Sequence, residues 1–185
     1  MRPVGIAILA NRLMNKIISD HSFHCPDCGE QHEIALCFGA EFPDYYYAIP
    51  PEARASRVEM EKSLCVIDEE HFFIRGHLVI PILDYPEPFI LSVWTTLSKD
   101  SFVEVNTLWN DPERTKAKPY FGWLQTEPTP FAPCLNIQTL VHTREVGAVP
   151  FVEVIEENHP LALDQTNGIS IEKATELSRA LLHPK

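Results

Sequence analysis

In "HFFIRGHLVIPIL", residues 71–83, Phe72, Ile74, Leu78, Ile80 and Ile82 share one parity, while Phe73, Arg75, His77 and Val79 share the other. That alternation predicts a strand with one face buried. "PFILSVWTTL", residues 88–97, follows a proline-rich turn, "DYPEP", and pairs with the first run as a hairpin with a longer loop. Ser98 then reads as a helix N-cap. Phe102, Val105 and Trp109 recur at helical spacing, and "NDP" at 110–112 stops the helix. Three further strands are predicted in "YFGWLQT", "CLNIQTLVHT" and "VPFVEVI". "HPLALDQTNG" reads as a short helix started by Pro160 and ended near Gly168. Ser170 caps a last helix whose buried stripe is Ile171, Ala174, Leu177 and Leu181. Earlier in the chain, "HEIALCF" reads as one short strand and "IPPEARASRVEMEK" as a helix opened by proline.

Strands come in neighbouring runs with few helices between them, an α+β pattern. The expectation is an antiparallel sheet of about five strands with helices packed on one side. Residues 1–20 read as an N-terminal extension forming a short amphipathic helix, and 21–185 as a single α+β domain. The apolar run "VGIAILA" near the start is short for a signal peptide and is broken by Asn11 and Arg12. No segment reaches the roughly 20 apolar residues of a membrane span. With five cysteines, an odd number, a secreted disulfide framework is disfavoured and a cytoplasmic setting expected.

Charge narrows the partners. The chain has 26 acidic and 15 basic residues, a formal −11, which repels phosphate backbones. Between Lys16 and Arg54 there is no Lys or Arg, and that span holds Asp20, Asp27, Glu30, Glu33, Glu41, Asp44 and Glu52. Nucleic acid and membrane are therefore not expected partners; another protein is. "PDYYYAIP" places three tyrosines in a row, with Tyr46 expected to face out while its neighbours pack.

The most acidic stretch also holds the clearest chemistry, "HCPDCGEQH" at residues 24–32. Cys25 and Cys28 form a C-x2-C, whose tight turn brings two sulfurs to one point, and Gly29 lets the backbone bend behind them. His32 is the expected third ligand and Cys37 a weak fourth, which His21, His24 or a distant histidine can replace. The spacing C-x2-C-x3-H-x4-C resembles a CCHC zinc knuckle, one residue short between the second cysteine and the histidine. A structural zinc site takes four such N and S donors. On a strand, Cys37 would face away from His32, which counts against it. A redox C-x-x-C or two unligated thiols are the alternatives; the redox form normally opens a helix, whereas glycine and strand-like alternation follow here. The missing basic residues disfavour a nucleic-acid knuckle.

Catalytic motifs of the common hydrolase, nucleotide and dinucleotide types are not found. Arg75 and His77 share a strand face, as do Asn136, Gln138 and His142. If those faces meet, His77, His142 and Arg75 form a polar cleft suited to acid–base work on an anion. His159 precedes Pro160 and reads first as a helix cap, second as a catalytic candidate.

The blocks "CPDCGEQH", "FGAEFPDYYYAIP", "LCVIDEEHFFIRGHLVIPI", "VWTTLS", "YFGWL" and "HPLALDQTNGIS" occur in this order. Together they resemble a bacterial family, domain of unknown function 2199, over roughly residues 22–180. The family's C-x-x-C-G and following histidine match Cys25, Cys28 and His32. Its charged strand motif matches Ile74, Arg75 and Gly76, and its late block matches His159, Pro160, Leu161, Gln165 and Gly168. The resemblance implies one intact domain and a bacterial, cytoplasmic setting, but no activity, cofactor or catalytic residue. Its pattern has no cysteine at the position of Cys37. The expected function is a protein-binding domain held by a structural zinc knuckle. The alternative is a small metal- or histidine-dependent enzyme acting on an anionic or amide substrate, including an open three-ligand metal with water as the fourth.

Overall fold

The computed structural model describes residues 22–61, 63–128 and 130–183; the expected helix over 1–20 and His21 lie outside them. Alternation builds the centre. Strands β6 (His71–Ile80) and β7 (Phe89–Leu97) pair antiparallel from Phe72–Leu97 to Ile80–Phe89. On one parity of this hairpin Ile74, Leu78, Ile80, Leu91 and Val93 are buried at 2% exposure or less in the main core. The other parity buries Phe73 and Trp94 in a second cluster with Ile49, Cys65 and Ile67. Apolar side chains on both faces make these two strands the middle layer of the molecule.

Short strands complete the sheet. β3 (Cys37–Gly39) runs parallel to β7; β4 (Val58–Met60) pairs with β5 (Leu64–Ile67), which joins β6. β8 (Tyr120–Trp123), β9 (Gln138–His142) and β10 (Phe151–Val154) form an antiparallel set, and β10 lies parallel to β6, with Phe151 opposite His77. The sheet thus has eight strands, order β3-β7-β6-β10-β9-β8 with β5 and β4 beside β6, and it is mixed. This corrects the expected five-stranded antiparallel sheet. Strands of three or four residues carry too little alternation to be read, and parallel pairing leaves no hairpin signal.

The predicted helix over 49–62 divides as well. It ends at Arg57, where Val58 turns extended and pairs with Ile67, because the β-branched side chain fits the sheet better than another helical turn. "HEIALCF" splits into β2 (Gln31–Glu33), paired with β1 (Ser22–His24) in a separate hairpin, and β3 in the main sheet.

The helices are α1 (Asp44–Tyr47), α2 (Pro51–Arg57), α3 (Lys99–Thr107), α4 (Pro160–Asn167) and α5 (Ile171–Leu182). Ser98 caps α3 by accepting from the Ser101 amide, and Ser170 caps α5 by accepting from Lys173. Val105, Leu161, Ala174 and Leu177 from α3, α4 and α5 enter the main core, whereas Ala53 of α2 packs on the second cluster. Helices therefore cover both faces rather than one. The tyrosines also invert their expected pattern. They sit on helix α1, so Tyr46 packs while Tyr45 and Tyr47 are exposed.

The far edge of the sheet curls back. Leu124 bridges Thr95 of β7, and the Gln125 amide donates to the Trp94 carbonyl at 2.7 Å. The buried Thr95 and Thr139 hydroxyls lie 2.7 Å apart at this seam; Thr95 reaches the Trp123 carbonyl and Thr139 the Gly122 carbonyl. Gly122 permits the approach, since a Cβ there would stand 2.0 Å from the Thr96 carbonyl oxygen. Gly122→Ala should therefore destabilise the fold by about 3 kcal/mol, the upper range for overpacking, read as a lower urea midpoint. Phe121→Ala, at an exposed neighbour, should change it little.

Candidate metal centre

The hairpin β1–β2 is closed by Cys25–Glu30. The Cys25 amide donates to the Glu30 carbonyl and the Gly29 amide to the Cys25 carbonyl, each at 2.8 Å. Gly29 has φ +76 with open space around it, so the residue type answers the backbone and not a close neighbour. This turn sets Cys25, fully buried, and Cys28, exposed, on one side of the loop. It is a hairpin turn and not the start of a helix, unlike the usual setting of a redox C-x-x-C.

Two contacts bring the hairpin and the residues after it to α5. The Ala35 amide donates to Ser178 Oγ at 3.0 Å, Asp27 pairs with Arg179 at 3.2 Å, and His183 follows at the end of the helix. Ligand atoms of Cys25, Cys28, His32 and His183 all lie within 4.8 Å of one another, an arrangement that can hold a metal ion. Cys28 Sγ stands 3.0 Å from His32 Nε2, and the His32 and His183 rings meet edge to face at 5.6 Å. Tetrahedral bonds of about 2.1 Å to nitrogen and 2.3 Å to sulfur space donors by about 3.4–3.8 Å, within this range.

Two observations fit a cation. His183 Nε2 is buried with no hydrogen-bond partner among the described residues, which is costly unless something binds it. The Cys28 thiol has a raised pKa. A hydrogen bond from the Glu30 backbone pulls it down, but partial desolvation by the surrounding loop and the adjacent Cys25 together outweigh that pull. Two thiols this close oppose each other's ionisation, and a cation between them reverses that balance.

Of the other cysteines, Cys37 lies on β3 in the main sheet, exposed and outside the group. Cys65 and Cys134 are core residues, their thiols pushed up to about 11 and about 12 by burial. His183 is the donor that local reading missed. The usable signal was a histidine directly after the last helical turn, at the opposite end of the described chain from Cys25.

The catalytic candidates occupy three places. His77 and His142 share a sheet face but stand on β6 and β9 with Phe151 of β10 between them, about 10 Å apart by strand spacing. His77 has a lowered pKa, first from burial and then from Arg144 and Arg75. His142 is exposed and bonds Glu153 at 2.7 Å. His159 caps α4: Nδ1 accepts from the Leu161 amide, and Nε2 lies 3.1 Å from the Pro133 carbonyl. With Nδ1 accepting, Nε2 carries the ring proton and donates it to that carbonyl. Arg75 stacks on Trp94 at 5.6 Å and lines a cleft that none of these histidines enters.

The family described as an uncharacterised protein conserved in bacteria, DUF2199, matches residues 24–169. The chain belongs to this family. The match takes in Cys25, Cys28 and His32 and stops before α5, short of the expected limit near 180, so His183 lies beyond it. No curated protein and no solved structure matches the chain. Among the described residues no helix is long and apolar enough to cross a membrane.

His183→Ala should weaken binding of cobalt(II), used as an optical probe, by more than about 100-fold, beyond the cost of losing an outer-sphere partner. Cys37→Ser should leave both affinity and the sulfur-to-cobalt absorption unchanged.

Proposed function

We propose that the protein is a cytoplasmic binding domain whose N-terminal hairpin is fastened to α5 by one structural zinc ion. The observation that carries the zinc reading is the convergence of Cys25, Cys28, His32 and His183. Two thiolates and two imidazoles form the donor set of structural zinc, and four protein donors leave no position for a reacting water. The ion's role is then to hold the hairpin, not to activate a substrate. The enzyme alternative would use His77, His142 or His159 with Arg75 in one pocket, and the cleft lined by Arg75 includes none of the three histidines.

The binding reading extends to another protein as partner. Supporting it is the exposed pair Phe121 and Trp123 on β8, 46% and 41% exposed with rings 5.2 Å apart, the residue types that anchor interfaces. The net charge of −11 favours a partner with a basic surface.

Protein purified without chelator should contain one zinc per chain by mass spectrometric metal analysis. Stripping it with a strong chelator should lower stability by about 3 kcal/mol or more, and zinc should restore it. A metal-free protein of equal stability overturns the zinc reading.

A further inference from the structure

A cleft of about 600 Å³ opens between the β4–β5 turn, the segment after β3 and the end of α3. That volume is typical of small-molecule sites. Phe42, Trp94 and Trp109 line it together with Arg75, Glu41 and Glu61. The aromatic walls are held in place. Phe42 lies flat on Tyr46, ring centroids 3.9 Å apart at 7°, and the Arg54 guanidinium sits 4.4 Å from the Tyr46 centroid. The Trp94 indole N–H donates to the Ala40 carbonyl at 3.2 Å. Trp109 carries the Arg114 guanidinium 4.6 Å from its ring, and Arg114, only 2% exposed, also donates to the Trp109 carbonyl at 2.7 Å. Walls fixed in this way cost a ligand little reorganisation.

The charges, by contrast, carry no ion pair among the described residues. Arg75 stacks on Trp94, but its guanidinium makes no ion pair or hydrogen bond among the described residues. Neither the Glu41 nor the Glu61 carboxylate makes one among those residues. The cleft therefore holds one positive and two negative groups that do not pair with each other, although salt bridges of ordinary length form elsewhere on the surface. A bare anion drawn to Arg75 would meet two carboxylates, and a bare cation drawn to the carboxylates would meet Arg75. A ligand bearing both signs leaves none of them opposed.

We propose that this cleft binds a small α-amino-acid zwitterion. Its carboxylate pairs with Arg75, its ammonium with Glu41 and Glu61, and an apolar side chain packs against Phe42 and Trp109. The planar, two-pronged guanidinium suits a carboxylate. Discrimination comes from the partner left unpaired when one charge of the ligand is missing. The site shares no residue with the metal centre, so its failure and that of the zinc reading are separable.

The test is calorimetric titration of the intact, metal-loaded chain, followed in parallel by tryptophan fluorescence. The probes are L-phenylalanine and L-leucine, with phenethylamine lacking the carboxylate and 3-phenylpropanoate lacking the ammonium. Both amino acids should saturate the cleft, and each singly charged analogue should bind at least about tenfold more weakly. Arg75→Met should weaken L-phenylalanine by a similar factor and leave phenethylamine unaffected. The exposed double change Glu41→Gln with Glu61→Gln should weaken L-phenylalanine and spare 3-phenylpropanoate, and it keeps the test sound if Arg75→Met fails to fold. A singly charged analogue that binds as well as L-phenylalanine, or no saturation by either amino acid at millimolar concentration, overturns the proposal.

Discussion

The nine-pair ladder between β6 and β7 is the constraint on which the other parts depend. Its two parities bury different sets of side chains, so one hairpin serves two cores at once. Each of its edges is used twice. β6 receives β5 along its first half and β10 near His77, while β7 receives β3 and, further on, the seam after β8. A register slip of one residue would exchange Ile74 for Arg75 and Val93 for Trp94 across the faces, and both cores would fail together. The same register presents Arg75 above Trp94, so the cleft inherits its floor from the ladder.

Long elements with regular patterns were legible in the sequence. β6, β7, α4 and α5 stand close to their expected limits, and Ser98, Ser170 and His159 cap the helices they were expected to cap. The sheet's size and mixed direction were not legible. β3, β4 and β10 are three or four residues long, and their pairing is decided by distant partners instead of local alternation. At Val58 local helix preference gave way to a partner strand formed by Leu64–Ile67.

The metal centre shows the same division. Cys25, Cys28 and His32 lie within one turn and one strand, so their grouping is a property of spacing. His183 joins them through tertiary structure alone, since α5 must first dock against Ala35 and Asp27. The cleft was equally out of reach: Glu41, Glu61, Arg75 and Trp109 come from four separate segments, and nothing local distinguishes an arginine that finds a carboxylate from one that does not.

The position of His183 has a consequence for the chain when it is not folded. On the zinc reading the ion is a cross-link between residues near the two ends of the described chain, and the loop it closes contains almost every strand and helix. Chain-entropy arguments assign a loop of about 150 residues a loss of unfolded-state freedom worth about 5 kcal/mol. As long as the ion stays bound while the chain opens, the clip acts on the disordered ensemble by denying it its most extended states. A site at the periphery of the molecule could in this way govern how far the whole chain opens.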